Sequence, residues 1–290
     1  MRYDNTNIEC DVLFTSSLHI INFTRSLECL CVQSDAGLLK VDREKLLVLV
    51  TDPDSFCISE LRVPLSRAIR CRLKAGQVSF KVFIPDLVKR MREAIRLRQK
   101  IALVGYKGRH LRIKRFSIDS GLKDVVVDIC KASNSMRVFH LLSKDRFLQV
   151  SDDYIHICMD TPEFSRIFNS HCILSAHEGG TGTFSFRLAT TIVLYFRLKN
   201  RCGTHGEFII RVPPTAEDVR ILHRPTHHFQ TDYLIGSIKR VQASINFPRS
   251  QISMYISEKG ILFEVHSRHG VRLLAFVVNT RPIDLDSYAR

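Results

Sequence analysis

The stretch VSFKVFIPDLVKRMREAIRL (78–97) reads as a strand that passes directly into an amphipathic helix. The runs that follow, KIALVGYKGRHLRIKRFSID (100–119) and VVVDIC (125–130), are rich in strand-forming residues and broken by glycine, as expected for three strands. The same order returns in FQTDYLIGSIKRVQASI (229–245) and in the strand runs after it. Because an internal repeat usually determines the architecture of a chain, we predict a duplicated unit of one strand, one helix and three strands.

The two remaining quarters of the chain follow the same order. Residues 8–65 contain IECDVLF, a helical pattern over LHIINFTRSLECL and three apolar runs, and residues 154–213 repeat this with YIHICM, PEFSRIFNSHCIL and three further runs. We therefore predict an α+β fold of four β-α-β-β-β units, paired into an N-terminal domain (1–130) and a C-terminal domain (154–290). Residues 131–153 have no clear period and are interpreted as an extended interdomain connector.

Bulk composition narrows the class of protein. The chain has 290 residues, of which 45% are hydrophobic, which is ordinary for a globular protein. No apolar run is long enough for a membrane span, and MRYDNTNIECD at the start lacks the pattern of a signal peptide, so neither a membrane span nor secretion is expected. Nine cysteines occur without metal-ligand spacing, and we interpret them as reduced thiols of an intracellular protein.

The net charge indicates the kind of partner. It is +14, with an isoelectric point near 9.6, which favours a polyanion: nucleic acid first and an anionic membrane surface second. The alternative is a soluble protein that happens to be basic. Whether the net charge indicates a polyanionic partner depends on where the cations lie in the structure.

A helical projection of residues 86–100, at about 100° per residue, separates two faces. Leucine, valine, methionine, alanine and isoleucine gather on one side and should pack on a sheet. The opposite side carries a basic stripe, interrupted by Glu93 and flanked by Arg90, that comprises Lys89, Arg92, Arg96 and Lys100. Like charges at this spacing repel mildly, so the stripe favours a polyanion in front of it, although a solvated helix face would look the same.

The other helices repeat this arrangement more weakly. In the last unit Lys239 points away from the apolar side and Arg240 flanks it, while the first and third helices offer Arg25 and Arg166. Helices with basic outer faces on one side of a sheet would contact phosphates without reading bases. Binding to duplex DNA should then be independent of sequence and strongly dependent on salt.

The arrangement of four units and a connector resembles the sliding-clamp fold of PCNA and its relatives over essentially the whole chain. PEFSRIFNS (162–170) resembles the helix that opens the second PCNA domain, and the stretch from YLIGSIKR to LLAFVV (233–278) resembles its closing helix and three-strand meander. The resemblance implies a ring whose helices lie on the inner face of curved antiparallel sheets. It also implies a non-catalytic scaffold without cofactors that holds duplex DNA and tethers other proteins.

Partner surfaces follow from the same resemblance. It implies that other clamp subunits, in a homo- or heterotrimeric ring, pair with the strands near 110–117 and 182–188. DNA polymerases, repair enzymes or checkpoint proteins would dock in an apolar groove beneath the connector, and its candidate residues are Met136, Val138, Phe139, Leu141, Leu142, Phe147 and Leu148. Packing of the connector on the sheet would account for these residues equally well. The expected location is the nucleus.

The chain departs from PCNA in ways that favour a particular relative. PCNA is acidic, whereas this chain is basic, and NTRPIDLDSYAR (279–290) lacks the acidic run that follows the last PCNA strand. FTRSLECL (23–30) and SGLKDVVVDIC (120–130) are more similar to a subunit of the heterotrimeric DNA-damage checkpoint clamp. The second choice is a viral DNA polymerase processivity factor, which would hold DNA by charge without closing a ring.

Catalytic patterns are weak. The glycine-rich run 179–182 lacks the Lys-Ser/Thr of a phosphate loop, and the histidines at 223, 227 and 228 lack a carboxylate or cysteine at metal-ligand spacing. The paired acids Asp152 and Asp153, or Asp160 with Glu163, suit turns and helix starts better than a metal site. We therefore predict no catalytic and no metal-binding residues, and keep a basic metal-dependent nuclease and a sequence-specific regulator as competing functions.

Overall fold

The computed structural model describes fourteen segments of the chain, namely 8–51, 57–65, 69–106, 110–116, 126–129, 147–148, 153–165, 181–187, 192–199, 205–212, 219–227, 229–245, 250–266 and 270–278. The chain divides into two compact units, Met1–Thr51 with Glu60–Val138 and Asp52–Ser59 with Phe139–Arg290. The division after Val138 falls inside the predicted connector 131–153. Neither unit contains, among its described residues, a helix of the length and apolarity that a membrane span requires.

The first unit contains two copies of the predicted strand, helix and three strands. The elements of the first copy are β1 (Ile8–Phe14), α1 (Ser17–Cys31), β2 (Ala36–Asp42), β3 (Lys45–Thr51) and β4 (Cys57–Pro64). The part of β4 from Glu60 onward belongs to the first unit. After a short strand β5 (Ile69–Leu73), the second copy consists of β6 (Gln77–Phe83), α2 (Ile84–Arg96), β7 (Lys100–Tyr106), β8 (His110–Phe116) and β9 (Val126–Ile129).

The two copies exchange their first strands. One sheet has the order β5-β1-β7-β8-β9, so β1 lies beside the strands of the second copy. In the other sheet the strands of this unit follow the order β4-β3-β2-β6, so β6 lies beside the strands of the first copy. This reciprocal pairing makes each sheet depend on both copies, and it makes the two copies equivalent.

Alternating apolar residues explain which side of each sheet is buried. Cys10, Val12 and Phe14 on β1 are at most 1% exposed, and the ring of Phe14 stacks on Phe23 of α1 with centroids 5.3 Å apart. Residues of a strand alternate between its two faces, so this face of β1 is the one covered by the helix. The opposite face, with Asp11 at its centre, is turned away from the helices.

The second unit repeats the plan. Its elements are β10 (Ile155–Asp160), a helical segment over 161–165, β11 (Thr181–Arg187), β12 (Ile192–Lys199), β13 (His205–Val212), β14 (Val219–His223), β15 (Phe229–Leu234), α3 (Ile235–Ser244), β16 (Gln251–Ser257), β17 (Gly260–His266) and β18 (Arg272–Val278). The strand β10 joins β14, β16, β17 and β18, whereas β15 joins β11, β12 and β13. First strands are therefore exchanged here as well, and the prediction of four equivalent units is confirmed.

Two predictions about strands were wrong or incomplete. The strands near 110–117 and 182–188 were expected to be free edges, but β8 pairs with both β7 and β9, and β11 pairs with both β12 and β15. The sheet ends among the described strands of these two sheets are instead β5, β9, β13 and β15. The short edge strands β5 and β14 were not predicted at all, because each has only five residues and carries cationic or polar side chains among its apolar ones.

Candidate nucleic-acid interface

Helix α2 has the two sides that the sequence predicted. Leu87, Met91 and Ala94 are 0% exposed, so the apolar side is fully packed. Lys89, on the opposite side, is exposed, and so are Arg92 and Arg96. Its ends are also favourable, since Pro85 occupies the first turn and an arginine closes the last turn, where a cation interacts well with the helix dipole.

The end of α2 places Lys100 off the helix, which corrects one predicted position. Arg98 adopts a left-handed conformation with φ of 53°, its N–H donates to the carbonyl of Ile95, and the N–H of Gln99 donates to that of Ala94 at 2.8 Å. This pattern is a Schellman motif, which terminates a helix. Lys100 is therefore the first residue of β7, where alternation sets it on the face of the sheet that is turned away from the helices.

An ion pair joins the basic stripe to helix α1. Nε of Arg92 donates to Oε1 of Glu28 at 2.6 Å, across two helices that lie side by side. The hydrogen bond raises the pKa of Arg92, which stays charged, but the carboxylate offsets its positive charge locally. Glu93 is compensated in turn, because Nη1 of the buried Arg115 lies 3.0 Å from its Oε2.

Two cations of the stripe remain uncompensated. Among the described side chains, no carboxylate lies within ion-pair distance of Lys89 or Arg96. Arg90 differs, since its Nε lies 3.5 Å from the carboxylate of Asp86 on the same helix and the side chain is partly covered. Arg25 on α1 is exposed as predicted. The strongest positive potential of this face is therefore expected at Lys89 and Arg96.

A cleft of about 520 Å³ lies between α1 and α2. Its walls include Glu28, Cys31, Lys89, Arg92 and Arg96. Burial, with further contributions from nearby carboxylates, raises the pKa of Cys31 to about 11, so the thiol stays protonated at neutral pH and is a poor nucleophile. The cations in the wall of the cleft could therefore bind an anion, whereas the thiol of Cys31 does not make it a reactive site.

The second unit presents a smaller basic face. Ile238, Val241 and Ile245 of the α3 region are at most 1% exposed, while Lys239 is exposed and Arg240 is half-buried. The predicted division into an apolar and a basic side is therefore also present in this helix. Arg166 lies outside the described residues.

The predicted partner-binding residues are mostly outside the described segments, namely Met136, Val138, Phe139, Leu141 and Leu142. Phe147 is 2% exposed and packs in a core cluster with Tyr255, Leu262, Leu274 and Phe276, and its ring meets that of Phe276 edge to face at 5.3 Å. Leu148 is half-buried and packs against the same cluster. Phe147 is thus a packing residue of the second unit, which corrects its assignment to a partner-binding surface.

Of the acidic and histidine residues that could have signalled a metal, Asp153 and His223 have structural roles in the described segments. The carboxylate of Asp153 accepts hydrogen bonds from the backbone N–H groups of Thr226 and His227 at 2.9 and 2.8 Å. Burial alone would raise the pKa of Asp153, but these hydrogen bonds outweigh it and the pKa lies below its usual value. His223 stacks on Tyr154 with ring centroids 4.2 Å apart. No three metal-ligating side chains converge anywhere in the described segments.

Comparison with known proteins identifies the fold. No protein-family model and no curated protein matches the sequence. The structure is similar to that of PCNA from Thermococcus kodakaraensis, with a TM-score of 0.64 at 11% identity, over 93% of this chain and 99% of that one. It is equally similar to PCNA from Entamoeba histolytica, with a TM-score of 0.63 at 12% identity, over 94% and 99%.

The chain has the sliding-clamp fold. The predicted fold class, two domains of paired β-α-β-β-β units with antiparallel sheets, is therefore confirmed. Sequence reasoning missed two features of the surface. Glu28 was not recognised as the partner of Arg92, because the two residues are far apart in the chain. The exposed cations of β5 were overlooked because that strand was not predicted.

Proposed function

We propose that this protein is a non-catalytic sliding-clamp subunit that holds duplex DNA through the basic outer faces of its helices and tethers DNA polymerases, repair enzymes or checkpoint proteins to it. The observation that carries the proposal is the pair of exposed, uncompensated cations Lys89 and Arg96 on the helix whose other side is buried. The sliding-clamp fold supports it, because PCNA is the protein with which the fold is shared.

The mechanism is electrostatic and topological. Lysine and arginine side chains on a helix surface neutralise phosphates and release counterions, and they carry no information about the base sequence. Arg25, Lys239 and Arg240 would extend the contact beyond α2. A clamp that binds in this way stays near DNA while remaining free to move along it, so the proteins docked on it remain close to their substrate.

The subunit is proposed more specifically to belong to a heteromeric clamp of the DNA-damage checkpoint type, acting in the nucleus. Its strongly basic charge and the patterns of 23–30 and 120–130 support this choice over a replication-type clamp. Within such an assembly the sheet ends β9 and β13 are the candidate edges for pairing with neighbouring subunits, since an unpaired strand edge readily accepts another strand.

The test reverses the two uncompensated cations. Lys89→Glu with Arg96→Glu should weaken binding to two duplexes of unrelated sequence by the same factor, and it should reduce the slope of log affinity against log salt by about 2, or roughly 0.9 per lost phosphate contact. Fluorescence anisotropy across a salt series measures both quantities.

The matched control changes the same charge elsewhere. Arg43 and Arg224 are exposed cations outside the helices, so R43E with R224E should leave the salt slope nearly unchanged. Equal slopes and affinities for the wild type and the helix variant would exclude α2 as the DNA-binding element. A factor that differed between the two duplexes would instead favour a sequence-specific regulator.

A further inference from the structure

Strand β5 combines a free edge with a row of cations. It lies at the end of its sheet and pairs only with β1 among the described strands. Ile69 is buried, whereas Arg70, Arg72 and the next alternate residue, Lys74, are exposed. Alternate residues of a strand lie roughly 6.7 Å apart on one face. The edge therefore presents three cations in line, at the spacing of alternate side chains in an extended peptide.

The register of β5 shows which backbone groups face the free edge. The N–H of Lys74 donates to the carbonyl of Glu9 on β1 at 2.9 Å. In an antiparallel pair the backbone groups of successive residues point to opposite sides, so those of Arg70 and Arg72 also face β1. The N–H and C=O groups of Cys71 and Leu73 consequently point away from the sheet. These are the groups to which an added strand would hydrogen-bond.

We propose that the free edge of β5 binds an extended acidic segment of a partner protein, which adds to the sheet as a further strand. Its backbone would pair with Cys71 and Leu73, and its alternate carboxylates would stand opposite Arg70, Arg72 and Lys74. Those three positions would then be non-hydrogen-bonded sites, where facing Cα atoms are only about 4.5 Å apart and oppositely charged side chains attract most strongly. Strand addition supplies the affinity and the charge row supplies the selectivity.

The charges and the backbone groups of this edge favour an acidic strand over the other occupants of a free edge. A second copy of β5 would set arginine against arginine, which is destabilising and is a common protection of edge strands. The phosphates of a nucleic acid could accept from the N–H groups of Cys71 and Leu73, but a nucleic acid lacks the regular row of amide N–H donors that a strand offers to their carbonyls. On the neighbouring strand β1, Asp11 lies opposite Arg72 and Glu9 lies opposite Lys74. A polyanion spread over the sheet would therefore meet these carboxylates. A strand added at the free edge of β5 would lie on the other side of the cations, away from them.

The proposal is specific to the first unit and independent of DNA binding. The corresponding edge strand of the second unit, β14, pairs only with β10 among the described strands, and it carries the exposed Leu222 next to Arg220 and His223 instead of a row of cations. Among the described side chains, no carboxylate lies within ion-pair distance of Arg70 or Arg72, so both are available to a partner. Arg220 provides a natural control position.

The test uses a fluorescent eight-residue peptide that alternates glutamate and valine, with the full-length protein. Binding is measured by anisotropy, and hydrogen exchange reports protection of the Cys71 and Leu73 amides. R70E with R72E should weaken binding by about tenfold or more, and R70Q with R72Q by less, because lost attraction is replaced by repulsion only in the first variant. R220E should bind like the wild type, and circular dichroism verifies that each variant is folded.

A second peptide separates strand addition from simple attraction. Methylation of its valine amides removes the N–H groups that would pair with the edge and leaves the charge unchanged, so binding and amide protection should both be lost. Equal binding of the methylated peptide, equal loss in R220E, or no binding of either peptide would each overturn the proposal. A single-stranded oligonucleotide that binds more tightly than the peptide and is weakened by R70E with R72E would overturn it in favour of a nucleic-acid surface.

Discussion

At the scale of single residues, the basic face is shaped as much by carboxylates as by cations. Arg92 is the central residue of the stripe, yet Glu28 holds its guanidinium at 2.6 Å. Glu93 is drawn to Arg115 and away from the exposed cations. The effective charge of the face is therefore smaller than its count of arginine and lysine residues, and Glu28 is the residue that limits it.

Removal of the Glu28 charge should strengthen DNA binding. In Glu28→Gln the guanidinium of Arg92 loses its anionic partner and becomes available to a phosphate, so affinity should rise and the salt slope should steepen by up to about 1. Exposed ion pairs contribute only about 0–1 kcal/mol, so the free energy of unfolding should change little. Duplex titrations across a salt series, with urea denaturation alongside, measure both effects.

Glu44→Gln is the control for this prediction, because Glu44 is exposed in the turn between β2 and β3. It changes the net charge by the same amount and should leave the slope as it is. If Glu28→Gln gave no larger effect than Glu44→Gln, Arg92 would not contact DNA.

The sequence was informative about residues that depend on helical period alone. The exposure of Lys89, Arg96 and Lys239 follows from their distance along the helix to apolar neighbours, and the structure agrees. The pairing of Arg92 with Glu28 depends on how two helices lie against each other, which no local pattern contains. Lys100 was misplaced for a related reason, since no glycine marks the end of α2 and Arg98 takes the left-handed position instead.

At the scale of elements, β6 and β7 approach each other closely at one point in the core of the first unit. Gly105 of β7 lies against the fully buried Phe80 of β6, and a Cβ at this glycine would be 2.8 Å from Sγ of Cys10 and closer still to the ring of Phe80. The two strands belong to different sheets, so this contact packs one sheet on the other. Only glycine leaves room for the aromatic ring.

Gly105→Ala should therefore destabilise the protein. Overpacking a dense core typically costs about 1–3 kcal/mol, because the ring and the neighbouring strands must shift. Chemical denaturation monitored by circular dichroism should show a lower midpoint with little change in slope.

Gly76→Ala is the matched control, because a Cβ at Gly76 would meet nothing within 4 Å. It should be neutral or slightly stabilising. A Gly105→Ala protein as stable as the Gly76→Ala protein would show that the ring of Phe80 moves aside without cost.

The sequence predicts where most strands lie along the chain, but it does not predict which strands pair with each other. The composition of runs such as KLLVLVT and ILFEV indicates buried strands. The order of strand, helix and three strands follows from these runs together with the helical patterns between them. Which strand lies beside which is decided by pairing between distant segments. The expectation that β8 and β11 are edges was wrong for this reason. Strand β5 was missed because it has only five residues, in which apolar side chains alternate with arginines.

At the scale of the whole molecule, the fold could be recognised from the repeated apolar pattern of the sequence without close sequence identity. The PCNA structures to which this chain is similar share only 11% and 12% of its residues, yet each comparison spans more than nine-tenths of it. Four repeats of one apolar pattern restrict the possible sheets far more than any single motif would. The binding partners cannot be identified from a comparable pattern in the sequence, because a basic surface and an exposed strand edge can each bind many kinds of molecule.

The mass of the purified protein in solution tests the proposed assembly. A subunit of a heteromeric clamp should be a monomer of 33.3 kDa by light scattering, and it should form a larger complex only when candidate clamp subunits are added. A homotrimer would contradict the checkpoint-type assignment and favour a replication-type ring, while leaving the DNA-binding test on Lys89 and Arg96 unaffected. A lone monomer or dimer that already binds DNA tightly would favour a processivity factor of the viral type.

The exchange of first strands has a consequence for biosynthesis. Strand β1 ends at Phe14, but its neighbour β7 begins only at Lys100, and β10 ends at Asp160 while β16 begins at Gln251. Pairings between such distant segments are slow, because a long loop must close before any contact is gained. Strands β1 and β10 therefore keep an unpaired edge until the second copy of their unit has been translated, which makes nascent chains prone to aggregation. Strands β6 and β15 emerge after their partners β2 and β11 and do not share this risk.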